Sequence, residues 1–463
     1  MTAQSLDWNL FWAREWPALV VWPLLLSAAY VFFRRKQAAI LDPWLVLLAF
    51  NLRLYAGVFL LLVHLVVLKA CDSCIYYESA QFLAHQIAQN PSSGWQLWFW
   101  GWYSDSGLAA TENLWVEVPN HRVPLTIETS YWFDSQAFTL VRILTLLWWP
   151  AGGSMVALTL YCSAAGFVGI WLFFREFIPL YPRHRSMAYA LLFLLPGVVL
   201  WSSGLLKDSW AFGSQCALVG LLLRALRLRS WRAALWLLPP LLILGSIRPY
   251  LLAALLPVLT LIVLVRWAGP PRALPVLGIA TVWVAALLYV FQDQVIVLLE
   301  LSEYHRWYAL NFGDAPARGY SGNSAFDLGC PETGWREALR WLRALLSCFF
   351  RPWPWEIHRW LEVPMMLENM GLLLFSVYHL IFLDYRKAIS GWKTQPLILF
   401  FIGFSLVYGT FIGMSSPYFG SLWRYRVYVV PFLLLGLALL RRKDHPLTIF
   451  SRFRWSAAAN SAE

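Results

Sequence analysis

Long apolar runs recur along almost the whole chain, separated by short polar stretches. A helix of about 20 apolar residues crosses the hydrocarbon core of a bilayer, so each run of that length predicts one membrane span. The sequence therefore predicts an all-α, polytopic membrane protein that forms a single transmembrane domain over residues 1–463. The predicted spans are residues 16–33, 54–70, 153–174, 187–204, 206–226, 233–247, 249–265, 274–292, 365–383, 394–413 and 424–440.

Two of these boundaries leave alternatives. The segment 38–52 fits either an interfacial helix or the beginning of the second span. The first run, 16–33, fits either a full span or a shorter membrane-associated helix.

Basic residues gather in every second connection between the predicted spans. Such loops lie on the cytoplasmic side of a membrane. The basic clusters are Arg34–Lys36, Arg175 with Arg183 and Arg185, Arg224–Arg232, Arg266 with Arg272, Arg386 with Lys387 and Lys393, and Arg441–Lys443. Two long loops, 71–152 and 293–364, are then extracytoplasmic. Because the first is rich in Trp and Tyr, we expect interfacial helices there, with 136–149 as an amphipathic example, and we expect further interfacial helices in the second loop.

Composition agrees with this interpretation and limits the function. Of 463 residues, 60% are hydrophobic and only 13% are charged, which excludes an ordinary soluble domain. The net charge of +11 is explained by the basic loops, so we do not expect nucleic-acid binding. Cys71 and Cys74 form a CxxC pair that fits two free thiols or a disulfide. A zinc site fits least well, because the sequence has no second pair of ligands with matching spacing.

Five basic residues depart from the charge pattern and lie near the extracytoplasmic ends of predicted spans. They are Lys207, Arg248, Arg351, Arg424 and Arg426. Each could extend to the lipid headgroups by itself. Since they come from four distant parts of the chain and share one membrane level, we expect them to line one anion site, with Arg and Lys donors suited to phosphate.

The sequence around Lys207 adds support to this anion site. Ser202, Ser203 and Gly204 precede a predicted helix start, where backbone N–H groups can bind an anion. Asp208 would orient Lys207 or temper its charge; alternatively, the two residues simply neutralise each other.

Carboxylates at the same level are candidates for acid–base chemistry. Asp72 stands at the exit of the second predicted span, and Tyr76, one helical turn later, shares its face. Asp72 could take a proton from a sugar hydroxyl, with Tyr76 holding its orientation; it could equally cap the following helix. Glu356 is a second candidate acid or a partner for Arg351.

Several stretches resemble the GT-C superfamily of integral-membrane glycosyltransferases, especially bacterial members associated with surface polysaccharide synthesis. They are "DSCIYYESA", "LLPGVVLWSSGLLKDS", "LGSIRPYLL", "CFFRPWPWE" and "YFGSLWRYRVYVVPF", within residues 54–440. The resemblance implies transfer of a sugar from a polyprenyl-phosphate donor to a glycan or lipid-linked acceptor, at the extracytoplasmic face of the bacterial inner membrane. Asp72 would face the acceptor, and Lys207, Arg248 and Arg424 or Arg426 would hold the lipid phosphate. In that family the loop commonly follows the first span; here it follows the second.

Other functions remain open at this stage. An O-antigen-type polymerase or ligase would also bind lipid phosphates with Arg residues, without a carboxylate base. A lipid-linked-sugar transporter or flippase would place its site nearer the midplane, between internal repeats that this sequence lacks. A scaffold in a polysaccharide-assembly complex is a further alternative. No cofactor is predicted firmly; a divalent cation such as Mg²⁺ or Mn²⁺ could bridge Asp72 and the phosphate, although the residues form no metal-ligand motif.

Overall fold

The computed structural model describes residues 8–33, 42–68, 72–101, 115–118, 121–124, 131, 134–269, 326–329, 334–393, 395–416 and 418–442, with isolated positions between 272 and 307. Almost all of these residues are helical, as the apolar runs predict. The exception within the described ranges is an antiparallel hairpin in the first long loop, β1 (Trp115–Val118) and β2 (His121–Pro124), in which Val116 faces Val123.

We number the α-helices of the described residues in chain order. Those up to the middle are α1 (Trp8–Phe33), α2 (Pro43–Leu62), α3 (Asp72–Gln89), α4 (Pro91–Trp100), α5 (Ser135–Trp148), α6 (Met155–Phe177), α7 (Arg185–Tyr189), α8 (Pro196–Trp201) and α9 (Lys207–Leu228). The later ones are α10 (Trp231–Leu235), α11 (Leu238–Ile247), α12 (Pro249–Ala268), α13 (Trp335–Phe350), α14 (Val363–Ile381), α15 (Tyr385–Ser390), α16 (Ser405–Ser415), α17 (Phe419–Tyr425) and α18 (Val430–Leu439). Segments Val63–Leu68, Ala190–Leu194 and Leu399–Phe404 are π-helical.

Within the described residues, five helices are long and apolar enough to cross a membrane: Pro43–Val66, α6, α9, α12 and α14. The pair Phe419–Tyr428 and α18, bent by 52°, adds a sixth if it is one span. The chain is thus a membrane protein by the length and composition of its helices. Eleven spans are not confirmed, and predicted span 274–292 lies outside the described residues apart from isolated positions.

Two predicted span boundaries change. Residues 187–204 do not form one continuous helix, because Pro196 disfavours the helical conformation for Leu195, whose ψ is 119°. The second span begins at Pro43 rather than at residue 54, with the Asp42 carboxylate capping it through the Trp44 N–H at 3.0 Å. Segment 43–52 is therefore the beginning of that helix, which answers the alternative left open by the sequence.

The centre of the bundle is the contact between α6 and α9. Gly166 and Gly169 on α6 lie directly against Gly213 on α9, and a Cβ at Gly169 would overlap the Gly213 carbonyl group. Small residues allow helix backbones to approach in this way, and dispersion contacts then hold them. This contact fixes the relative position of the first turn of α9, where Asp208 lies.

The ends of several helices form two groups of contacts, one at each end of α6 and α9. At one end, Arg227 of α9 pairs with Glu176 of α6 at 2.5 Å, and Lys387 Nζ donates to the Leu439 carbonyl at 2.5 Å. We call it the basic end. At the other end, which we call the Asp208 end, four parts of the chain meet. They are the first residues of α3, the first residues of α9, the connection between α11 and α12, and α17.

Candidate functional site

Asp208 lies at the centre of a buried polar network in the first turn of α9. Its side chain is completely inaccessible to solvent. Oδ1 accepts hydrogen bonds from Arg248 Nη2 at 2.7 Å and Tyr428 Oη at 2.6 Å, and Oδ2 accepts from Arg424 Nε at 2.5 Å. A buried carboxylate is strongly destabilising unless it is paired and hydrogen-bonded. These three donors, together with the positive end of α9, compensate its charge.

Arg424 connects this buried carboxylate to a second one at the surface. Its Nη1 donates to Asp72 Oδ2 at 2.8 Å, so one guanidinium binds two carboxylates. Asp72 is the first residue of α3, and 43% of its side chain is exposed, against none of the Asp208 side chain. Asp72 is therefore the accessible part of the network.

Aromatic rings hold the two arginines in place. The Arg248 guanidinium lies 4.8 Å from the ring centroid of Tyr425 and donates to the Tyr250 hydroxyl. Arg424 lies 6.0 Å from the Trp201 ring. Such cation–π contacts favour the charged form and limit side-chain freedom, so the donors that face Asp208 are preorganised.

The environment of Asp72 keeps it ionised. Burial acts to raise its pKa, but the charge and hydrogen bond of Arg424 oppose this and hold the pKa below its ordinary value. Tyr131 Oη donates to Asp72 Oδ1 at 3.3 Å. Tyr76, predicted to orient Asp72, is buried and packs instead on the Tyr131 ring at 4.4 Å, where burial raises its own pKa.

The charges at this site balance one another. Two carboxylates and two guanidiniums form the network, and Lys207 pairs separately with Asp134 at 3.2 Å. Lys207, Arg248 and Arg424 do lie at the same end of the bundle, but carboxylates already engage each of them. A phosphate that took over a donor now bound to a carboxylate would displace Asp72 or Asp134, because these two carboxylates are the exposed ones.

Comparison with known proteins gives no match: no family model, no curated protein and no solved structure matches the chain. What this site can do chemically follows from its own geometry.

Two predicted phosphate ligands lie outside the network. Arg426 is buried and pairs with Glu368 at 2.9 Å and with the Asn369 amide oxygen, on the opposite side of its helix from Arg424. Arg351 pairs with Glu356 at 2.9 Å and donates to the Asp327 carbonyl at 3.2 Å. Glu356, the second predicted catalytic carboxylate, is thus engaged in a local cluster with Arg351.

The serines before α9 are structural. Ser203 Oγ donates to the Val199 carbonyl at 2.6 Å and is fully buried. Ser202 receives a hydrogen bond from Arg53, which is buried within α2 and also donates to the Val198 carbonyl at 3.2 Å. The Gly204 N–H donates to Ser163 at 2.9 Å. These groups join α2, α6 and α8 and are not directed toward an anion.

Sequence reasoning missed several members of the site. They are Tyr428, Tyr131, Tyr250, Trp201 and His64, a buried histidine whose ring lies 6.3 Å from Trp201. Tyr428 had a recognisable signal, since it follows Arg424 by four residues and helical spacing places both on one face. Tyr250 is a local neighbour of Arg248, two residues later in the chain, whereas Tyr131, Trp201 and His64 are brought to the site by tertiary packing.

In the described part of the chain, no three His, Cys, Asp or Glu side chains lie close enough together to hold a metal ion. The position between Asp72 and Asp208 is occupied by Arg424, which supplies positive charge there. Nearby, Cys74 takes part in a disulfide bond. Of the three alternatives for the CxxC pair, the disulfide is therefore the one that applies to Cys74.

Proposed function

We propose that this chain is a GT-C-type glycosyltransferase that moves a sugar from a polyprenyl-phosphate donor to a glycan or lipid-linked acceptor at the Asp208 end. The observation that carries the proposal is Arg424, shared between buried Asp208 and accessible Asp72. It places a cation suited to phosphate next to a carboxylate that can accept a proton.

The proposed reaction is a single displacement at the anomeric carbon. The acceptor oxygen forms a bond to that carbon while the bond to the lipid phosphate breaks, and the electron pair leaves on the phosphate. Arg424 and Arg248 stabilise the charge that develops on the phosphate, and Asp208 fixes both guanidiniums. The acceptor hydroxyl proton passes to Asp72.

Phosphate binding would also activate the base. Arg424 Nη1 donates to Asp72 and lowers the pKa of this carboxyl group, which makes the carboxylate a weak base. A phosphate oxygen that takes over this donor releases Asp72 and raises its pKa. The base would then gain strength only when the donor lipid is present.

Two observations support an extracytoplasmic position for this site. The opposite end carries the basic clusters, which favour the cytoplasmic side. Cys74, two residues after Asp72, is disulfide-bonded, and disulfides persist in oxidising compartments. The proposed location is the bacterial inner membrane, with the site facing outward.

Binding of undecaprenyl phosphate to the purified protein in detergent tests the phosphate role. We expect Arg424→Gln to weaken binding by about 10- to 100-fold, because hydrogen bonds to charged groups are worth roughly 1.5–3 kcal/mol. Arg232→Gln, an exposed residue at the basic end, is the matched control and should bind normally. Asp72→Asn should bind as tightly or more tightly, since its carboxylate competes for Arg424. Unchanged binding by Arg424→Gln would overturn the proposal.

Transfer in proteoliposomes that contain a polyprenyl-phosphate sugar tests the chemistry. Asp72→Asn should lower the rate by about 10²–10⁴-fold, the usual effect of removing a positioned base, while binding is retained. A flippase would instead move labelled lipid across the bilayer without forming product, and Asp72→Asn would leave that movement intact.

One observation favours a second candidate, an O-antigen-type polymerase or ligase. The lowered pKa of Asp72 while it is paired with Arg424 makes it a poor base, so phosphate activation by Arg424 could carry the reaction alone. Near-normal transfer by Asp72→Asn, together with complete loss in Arg424→Gln, would select this candidate.

A further inference from the structure

A separate cleft of about 810 Å³ opens at the basic end, far from the Asp208 network along the helices. It lies between the connection from α14 to α15 and the last residues of α18. The polar side chains that line it are Asp384, Arg386, Lys387, Gln395, Arg441 and Arg442.

The cleft is strongly positive. Four lining side chains are basic, and Asp384 is the one carboxylate that lines it in the described part of the chain. Asp384 also caps α15 by accepting from the Lys387 N–H at 3.1 Å, so part of its charge is used locally. The positive field extends to His184, whose pKa is lowered by burial and further by Lys387 and Arg441.

Backbone contacts hold the basic side chains at the rim. Lys387 Nζ donates to the Leu439 carbonyl at 2.5 Å, and Arg442 Nε donates to the Leu383 carbonyl at 3.2 Å. The cleft is therefore built from rigid parts, since these bonds and the Asp384 N–H to Leu440 carbonyl bond at 2.9 Å join the end of α18 to the start of α15.

One guanidinium nitrogen in the cleft is unsatisfied. Arg441 Nη1 is buried and has no hydrogen-bond partner among the described residues. A buried polar group without a hydrogen bond is destabilising, because its lost hydration is not compensated, and more so when it is charged. A ligand with acceptor oxygens and negative charge would relieve this cost.

We propose that the cleft binds the phosphate group of an anionic membrane lipid. The exposed apolar residues Leu374, Leu380 and Ile381 on α14 lead up to it and offer a surface for acyl chains. Basic pockets at the ends of membrane helices recognise anionic headgroups, and each basic residue near the surface adds to the attraction. This site is independent of the proposed transferase reaction.

Thermal unfolding of the full chain in detergent tests the site, with dioleoyl phosphatidylglycerol, dioleoyl phosphatidylcholine or inorganic phosphate as probes. We expect saturable stabilisation by phosphatidylglycerol and none by phosphatidylcholine. Stabilisation by millimolar inorganic phosphate without stabilisation by phosphatidylglycerol would identify free phosphate as the occupant and overturn the lipid assignment. Equal responses to the two lipids, with no response to phosphate, would overturn the proposal.

Variants assign the effect to the cleft. Arg386→Gln with Arg442→Gln changes two exposed residues and should weaken the apparent affinity for phosphatidylglycerol roughly 10- to 30-fold. Arg441→Gln should also lose the lipid response, yet without lipid it should unfold no earlier than the parent, because it removes the unpaired nitrogen. Arg232→Gln, at the same end but outside the cleft, should respond like the parent. Retained affinity in both cleft variants would contradict the assignment.

Discussion

Asp72 and Asp208 accept hydrogen bonds from the same guanidinium, but only Asp72 reaches solvent. Asp208 is enclosed by Arg248, Arg424 and Tyr428 and has no room for a substrate atom. Its role is to position the two arginines. Asp72 can exchange partners, so proton transfer belongs to it if the proposed reaction occurs.

Replacement of these two carboxylates by amides should therefore have unequal effects on stability. Asp208→Asn leaves buried Arg248 without its counterion and Arg424 with Asp72 alone, and breaking a buried pair in this way costs about 3–5 kcal/mol. Asp72→Asn removes a partly exposed pair, which is worth about 1 kcal/mol or less. The unfolding temperatures of both variants in detergent compare the same Asp-to-Asn change in two partners of the same arginine, Arg424. Equal stabilities would contradict the buried role of Asp208.

The lowered pKa of Asp72 fixes the direction of a pH effect. A carboxylate whose pKa falls on folding contributes stability above its unfolded pKa, and this contribution is lost as the pH falls through the folded pKa. Asp72 should therefore stay ionised from neutral pH down to below the usual aspartate value of about 3.9. If a lipid phosphate binds Arg424 in place of Asp72, the pKa of Asp72 should rise.

Infrared difference spectra over an acid titration can follow this carboxyl group, with Asp72→Asn as the control. Undecaprenyl phosphate should shift the Asp72 transition to higher pH. A transition at the same pH with and without the lipid would show that the phosphate does not displace Asp72 from Arg424.

At the scale of elements, helical phase separates residues that look equivalent in sequence. Arg424 and Tyr428 are four residues apart and both bind Asp208, while Arg426 between them faces Glu368 and Asn369. Residues two apart point to different sides of a helix. The bend between Tyr428 and Val430 does not change this division.

The contact between α6 and α9 makes a prediction at this scale. Gly169→Ala should destabilise the protein by about 1–3 kcal/mol, the usual cost of overpacking, because the new methyl group overlaps the Gly213 carbonyl. Gly371→Ala on α14 is the matched control, since nothing lies within 4 Å of its new methyl group. Thermal unfolding measures both. Equal unfolding temperatures would mean that α6 and α9 do not pack this closely.

At the scale of the whole molecule, the two ends of the helices differ in kind. The basic end carries paired and clustered cations, and the Asp208 end carries a neutral network of carboxylates and guanidiniums. A membrane protein with this asymmetry should place the basic end in the cytoplasm.

Cysteine labelling tests this orientation. In intact cells, a membrane-impermeant maleimide should fail to label Leu228→Cys and Ile389→Cys, which are exposed at the basic end, and should label Ser92→Cys, which is exposed after α3. Permeabilised cells should give labelling at all three positions, and the parent chain sets the background. Labelling of the first two in intact cells would reverse the topology.

The sequence by itself determined the class of protein and the residues that merit attention. Apolar runs of span length favour a membrane, and charges within or beside such runs need partners. Membrane helices therefore follow from local composition, and so does the choice of Asp72, Asp208, Arg248 and Arg424 as candidate residues. The number of spans did not follow, because hydropathy does not register where Pro196 or a π-helical turn interrupts a helix.

Only the tertiary structure decided which charges meet. A guanidinium reaches several ångströms in any direction, so sequence alone could group Arg351 and Arg426 with Arg424 although each pairs with its own carboxylate. Asp72 and Asp208 are 136 positions apart in the chain. The sequence alone does not reveal that the side chain of Arg424 binds both of them. Pairing of buried charges depends on the close approach of α3, α9 and α17, which is set by packing over the whole bundle.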